Sequence, residues 1–161
     1  MVMIKQGDQL PAATLHKATK DGPEPVETHD YFAGKKTVLF AVPGAFTPTC
    51  SVRHLPGFVD HEADLKAKGV DQIACVSVND AFTMQAWGES AQAGDKVDML
   101  ADGNGEFAKA LGLDADFTKF GMGHRSQRYA MMVEDGKVTS LHVEEPGAFE
   151  VSSAEHMLAQ L

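Results

Sequence analysis

Apolar positions fall into two alternating patterns along this chain. Residues 37–42 form a short continuous apolar and β-branched run closed by Pro43-Gly44, the signature of a strand buried on both faces. Residues 72–78 (Gln-Ile-Ala-Cys-Val-Ser-Val) repeat it, and residues 97–101 give a third run, stopped by Asp102-Gly103-Asn104-Gly105. Residues 129–133 and 138–143 flank Glu134-Asp135-Gly136-Lys137, and the Asp-Gly pair between two β-like runs predicts a hairpin. Between the strands the period lengthens. Residues 48–68 carry Val52, Leu55, Phe58, Val59 and Leu65 at helical spacing, with a kink predicted at Pro56-Gly57. Residues 81–93 predict a second helix anchored by Phe82, Met84 and Trp87, and residues 106–113 a short third. Ser152-Ser153-Ala154-Glu155 reads as a capping box opening a last helix with Met157, Leu158 and Leu161.

Strand–helix–strand units followed by a hairpin and a final helix define an α/β protein with a central mixed β-sheet flanked by helices. That order fits a thioredoxin-like fold. With 161 residues and no linker, repeat or low-complexity tract, residues 1–161 are expected to form one domain. No apolar run approaches the roughly 20 residues that span a bilayer. Lys+Arg 14 against Asp+Glu 23 gives a net charge of −9, which disfavours phosphate backbones and so a nucleic-acid role. The first residues show no leader pattern, and a cytoplasmic location is expected.

The chain has two cysteines, Cys50 and Cys75, too few for a disulfide scaffold. Its seven histidines are scattered and form no clustered ligand pattern, so no metal site is expected. Glycines 103, 105, 121 and 123 form no nucleotide fingerprint, and no NAD or ATP site is assigned.

The candidate chemistry lies where the first apolar strand ends. In Pro43-Gly44-Ala45-Phe46-Thr47-Pro48-Thr49-Cys50-Ser51, Thr47 suits an N-cap and Pro48 a first helical position. Cys50 then sits in a helix's first turn, where free N–H groups and the helix dipole favour a thiolate, the reactive form. The residues alone read equally well as a small buried hydrophobe that merely packs. Dithiol oxidoreductases carry Cys-x-x-Cys at such a turn, whereas here Thr47 occupies the first position, so a CxxC exchange is excluded.

Pro43-x3-Thr47-x2-Cys50 resembles the peroxiredoxin signature. The surrounding blocks are similar to the type II, peroxiredoxin-five-like branch: residues 43–51, His54-Leu-Pro-Gly-Phe58, Val76-Ser-Val-Asn-Asp80, Ala86-Trp87, Ala110-Leu-Gly-Leu113, Arg125-Ser-Gln-Arg-Tyr129 and Val151-Ser-Ser-Ala-Glu155. The resemblance runs from about Gly7 to Leu161. It implies a thiol-specific peroxidase, with antioxidant and peroxide-signalling roles, that reduces hydrogen peroxide and alkyl hydroperoxides without metal or organic cofactor. Cys50 matches the peroxidatic cysteine, Thr47 the hydroxyl that bonds thiolate and peroxide, Pro43 the residue shielding the pocket from water, and Arg128 the active-site arginine. Arg125 competes for the last role but is three residues away, so in a strand it would face the other way. The resemblance also implies a homodimer formed near the active-site loop, with Phe46 at its interface.

The product, a Cys50 sulfenic acid, needs a second thiol. Cys75 is the candidate resolving cysteine in this chain, yet its strand position equally suits a packed core thiol, and residues 147–152 contain no sulfur where other members of the branch carry one. An external reductant is therefore expected: glutathione, glutaredoxin or thioredoxin, with the first two favoured. His54 is expected to be a satisfied structural histidine, Phe46, Phe82 and Trp87 core or interface residues, and Glu144-Glu145-Pro146-Gly147 a solvated turn. A redox relay or sensor, a chaperone-like oligomer and a thiol transferase are the competing functions; the missing first sulfur weakens the transferase.

Overall fold

The computed structural model describes residues 3–161. Seven strands form one mixed sheet, in the order β2 (Gly22–Glu27), β1 (Thr14–Thr19), β5 (Asp98–Ala101), β4 (Gln72–Ser77), β3 (Lys36–Ala41), β8 (Tyr129–Glu134), β9 (Lys137–Val143). The three continuous apolar runs are its parallel centre: β3 (Lys36–Ala41), β4 (Gln72–Ser77) and β5 (Asp98–Ala101). Alternate residues of these strands feed different cores, which is why the runs are apolar without a break. Val38, Phe40, Ile73, Cys75 and Met99 pack on one face with Cys50, Leu55, Phe58 and Trp87. Leu39, Ala41, Ala74, Val76 and Leu100 pack on the other with Phe32, Phe107 and Met131. Each fully buried Val, Leu, Ile, Phe or Met among them contributes about 1.5–3 kcal/mol of transfer free energy.

The predicted hairpin is β8 (Tyr129–Glu134) and β9 (Lys137–Val143), paired antiparallel, with β8 also antiparallel to β3. Its turn uses Asp135 and Gly136, both at positive φ (50° and 79°), as a two-residue turn matched to strand twist demands. On the opposite edge stands a hairpin that hydrophobic patterning does not reveal: β1 (Thr14–Thr19) and β2 (Gly22–Glu27), with β1 joined antiparallel to β5. Pro23 and Pro25 are tolerated because β2 is an edge strand, needing no further ladder donors. Helix α1 (Thr28–Phe32) follows it. A small two-stranded sheet, β6 (Asp114–Asp116) with β7 (His124–Ser126), completes the strands.

The expected long helix over residues 48–68 is divided differently. A π-helical turn spans Cys50–His54, marked by a bond from Leu55 N–H to the Cys50 carbonyl. Helices α2 (Leu55–Asp60) and α3 (Glu62–Ala67) follow, and the break falls at His61 rather than at Pro56-Gly57. Pro56 lies in the first turn of α2, where a missing N–H costs little. Helix α4 (Ala81–Ser90) begins at Asp80, whose carboxylate accepts from Thr83 N–H at 2.8 Å. Helix α5 (Glu106–Leu111) has its first-turn N–H groups satisfied by buried Asp102, which accepts from Phe107 and Ala108. Helix α6 (Ala154–Ala159) is capped by Ser153, whose hydroxyl accepts from His156 N–H at 3.1 Å. The cap is therefore one residue later than the expected Ser152, which is buried and engaged elsewhere.

Candidate active site

Strand β3 delivers the chain to the turn at Pro43-Gly44, held back onto β4 by Val42 N–H to Val76 O at 3.2 Å. Ala45 N–H donates to Asn79 Oδ1 at 2.9 Å, tying the loop to the end of β4. Phe46 adopts a left-handed φ of 64° and is 51% exposed. The Thr47 carbonyl accepts from Ser51 N–H at 2.8 Å, opening the helical stretch as its position predicts. Its side chain does not cap that stretch. The hydroxyl donates to Gly44 O at 2.7 Å, which leaves its lone pairs available to a hydrogen on an incoming ligand.

Cys50 is fully buried and is not in a disulfide. Arg128, in the short link between β7 and β8, reaches it: Nη2 donates to Cys50 Sγ at 3.0 Å. Nη1 of the same guanidinium donates to His54 Nδ1 at 2.7 Å. An arginine must donate, so Nδ1 accepts and the His54 proton resides on Nε2. That Nε2–H donates to Ser152 O at 2.9 Å. His54 is buried, and burial first, then the Arg128 charge, pushes its pKa down to about 3. It is a neutral, fully satisfied imidazole, as expected, and it also fixes the arginine, a role that residue type and spacing did not disclose.

Arg125 is not part of this contact. Its Nε donates to Met122 O at 2.7 Å and its Nη1 to Val78 O at 2.9 Å. The separation of the two arginines comes from the chain leaving β7 after Ser126 and entering β8 at Tyr129, not from alternation along one strand. Pro43 is half-buried at the turn. Trp87, buried in the core, donates Nε1–H to Ser51 Oγ at 3.0 Å, pinning the π-helical turn to α4. Phe82, by contrast, is exposed.

Cys75 is buried in the middle of β4, where Phe40 of β3 and Met99 of β5 flank it across the ladders. Burial pushes its thiol well up, with the nearby Cys50 adding to the effect. It is free rather than bonded to Cys50.

Glu145-Pro146-Gly147 is the exposed turn its composition suggests, but Glu144 is not part of it. Glu144 is buried, and its Oε2 accepts from Glu150 N–H at 2.7 Å, Ser152 N–H at 2.9 Å and Ser152 Oγ–H at 2.6 Å. The fold-back sets Phe149 against three cationic or imidazole groups. Arg53 stacks 4.6 Å from its ring centre, the Arg128 guanidinium lies at 5.9 Å, and His54 packs against it at 4.9 Å.

A sulfur buried at a strand-to-helix junction under a guanidinium, on a thioredoxin-like sheet, defines a thiol redox protein. The redoxin family matches residues 5–158. Peroxiredoxin-2E-2, chloroplastic, of Oryza sativa subsp. japonica is 55% identical over 98% of this chain and 72% of its own length. Peroxiredoxin-2E, chloroplastic, of Arabidopsis thaliana is 52% identical over 98% of this chain and 69% of its own. The crystal structure of reduced Prx3 in complex with hydrogen peroxide from Vibrio vulnificus superposes with a TM-score of 0.94 at 59% identity, covering 98% of this chain and 99% of that one. The chain belongs to the redoxin family and, within it, to the type II peroxiredoxins, thiol peroxidases that act on peroxides and are recycled by a thiol. The expected cytoplasmic location is overturned: the rice and Arabidopsis relatives are chloroplastic proteins, and the pattern of the first residues does not assign a compartment.

Proposed function

We propose that Cys50 is the peroxidatic sulfur and that Arg128, Thr47 and Pro43 form its site within a single domain. The observation that carries the assignment is the 3.0 Å hydrogen bond from Arg128 Nη2 to Cys50 Sγ. A charge-assisted donor on sulfur favours the thiolate over the thiol. The thiolate attacks the terminal oxygen of the hydroperoxide. An S–O bond forms, the O–O bond breaks, and Cys50 becomes a sulfenic acid that keeps the transferred hydroxyl. Hydroxide or alkoxide leaves and takes a proton from water. Negative charge migrates from sulfur to the leaving oxygen, and a fixed guanidinium beside both stabilises that migration without reorganising. Thr47, its own proton committed to Gly44 O, accepts the peroxide O–H and aligns the bond with the sulfur. Pro43 covers the turn from water. Sulfur, guanidinium and hydroxyl supply all of this chemistry, with no metal or organic cofactor. Hydrogen peroxide and small alkyl hydroperoxides are the proposed substrates; a related protein, Prx3 of Vibrio vulnificus, is known with hydrogen peroxide bound.

The sulfenic acid is recycled by external thiols. One thiol displaces water to give a mixed disulfide with Cys50, and a second releases Cys50 and carries the disulfide away. Glutathione, with or without glutaredoxin, is the favoured reductant, with thioredoxin as the other candidate. The position of Cys75 supports this: its strand is held by ladders on both sides, and burial pushes its thiol well up, which leaves it a poor thiolate nucleophile toward a Cys50 sulfenic acid. A homodimer through the exposed Phe46 loop is the proposed assembly. A coupled peroxidase assay with glutathione and glutaredoxin tests the proposal. The wild-type protein should turn over hydrogen peroxide and Cys50→Ser should not; turnover by Cys50→Ser would refute it.

A further inference from the structure

The Arg128 side chain belongs to a closed ring of hydrogen bonds whose fourth member lies outside the chemistry described so far. Arg128 Nη1 donates to His54 Nδ1, and His54 Nε2–H to Ser152 O. Ser152 donates both its N–H and its hydroxyl to Glu144 Oε2. Glu144 N–H closes the ring on the Arg128 carbonyl at 3.0 Å. Three separate segments meet here: the link before β8, the loop after β9, and the π-helical turn that holds Cys50.

We propose that Glu144 is a positioning residue for peroxide reduction, acting through Ser152 and His54 to aim the Arg128 guanidinium at Cys50 Sγ. The inference rests on the role given to Arg128 above. A guanidinium is a rigid planar fork, so fixing Nη1 on His54 fixes the direction of Nη2. With Nδ1 accepting, the proton stays on Nε2, and the Ser152 carbonyl is the acceptor that keeps that buried N–H paired and the ring oriented. Two of the three donors that hold Ser152 and Glu150 on Glu144 are backbone groups, so the carboxylate sets the path of the main chain. Its loss frees the whole segment, including Phe149, whose ring lies over Arg128. Burial pushes the Glu144 carboxyl up, but the donors from Ser152 and Glu150 outweigh it and keep the group below the usual carboxylate range. It is therefore a charged acceptor at neutral pH.

The test measures the rate of Cys50 oxidation by hydrogen peroxide and the pH profile of Cys50 alkylation. Glu144→Ala is expected to slow oxidation about 10- to 100-fold, the loss that misplacing a catalytic group by about 1 Å produces, and to move the alkylation midpoint to higher pH. Glu144→Gln keeps an oxygen for the same three donors and should recover most of the rate. In an Arg128→Met background, Glu144→Ala should cause little further loss, because the residue it positions is gone. A wild-type rate and alkylation profile in folded Glu144→Ala, or a full additional loss in the Arg128→Met background, overturns the proposal. Should Glu144→Ala not fold, Ser152→Ala removes only the hydroxyl contact and is expected to slow oxidation severalfold; a wild-type rate there overturns it equally. Cys50→Ser is run alongside. Turnover in that variant defeats the site assignment itself, whereas an inert Cys50→Ser beside an unaffected Glu144→Ala defeats only the role of Glu144.

Discussion

Arg128 and Cys50 are 78 positions apart and meet at 3.0 Å, the guanidinium Nη2 donating to the sulfur. Substituting the arginine separates charge from geometry. Arg128→Met should reduce the rate of peroxide reduction about 10²- to 10³-fold, the range found when a preorganised donor is removed from a developing charge. Arg128→Lys keeps the charge but cannot span both Sγ and His54, so it should recover only part of the loss. Trp87, the single tryptophan, bonds to Ser51 next to Cys50, and its fluorescence in stopped flow gives the readout. A wild-type rate for Arg128→Met would remove the arginine from the mechanism.

Thr47 donates to Gly44 O and, in the proposed mechanism, offers its lone pairs to the substrate. Thr47→Val removes both functions at nearly constant volume and should slow peroxide reduction about tenfold, one lost hydrogen bond at a reacting centre. Thr47→Ser should stay close to wild type. Equal rates for the valine and serine variants in the same assay would show that the hydroxyl is idle.

Cys75 is enclosed on both sides by strands. Cys75→Ala should leave turnover with glutathione and glutaredoxin unchanged. Cys75→Ser buries a hydroxyl in an apolar core and should lower stability by about 1–3 kcal/mol in urea unfolding while leaving the same turnover. Loss of activity in folded Cys75→Ala would identify it as a resolving thiol.

His54 carries a pH dependence of known sign. Its folded pKa, about 3, lies below the ordinary value of 6.5, so between these values the unfolded chain binds a proton that the folded chain refuses. Stability from neutral His54 is therefore complete above pH 6.5 and is lost as the pH falls toward 3, at up to about 1.4 kcal/mol per pH unit. Denaturant midpoints at pH 7 and pH 5 should differ more for the wild type than for His54→Phe. The same pH difference in both proteins would contradict a neutral buried imidazole.

How much was visible in the chain depends on where each residue's information lies. The central strands and the Asp135-Gly136 hairpin follow from local pattern, because burial on both faces and positive φ each demand particular residue types. The strand-to-helix position of Cys50 was legible but fitted a packed hydrophobe equally well, and it was the family motif that singled out Cys50 together with Thr47, Pro43 and Arg128. β1 and β2 escape because only Leu15 of β1 is buried and β2 carries two prolines that read as loop. The π-helical turn is a hydrogen-bond register that helical periodicity cannot distinguish from a kink. Glu144 is the sharpest miss. Glu-Glu-Pro-Gly is a solvent-turn composition, and only the return of residues 150–152 converts its carboxylate into a buried clasp. Contacts of that kind are tertiary and leave no local trace.

The central claim is that Cys50 is the atom that takes oxygen from peroxide. Intact-mass and peptide spectrometry of the Cys75→Ala protein, treated with one equivalent of hydrogen peroxide, tests it directly. The expected result is a single added oxygen on Cys50, replaced by a mixed disulfide when glutathione is supplied and formed far more slowly in Arg128→Met. Peroxide consumption with Cys50 left unmodified would contradict it.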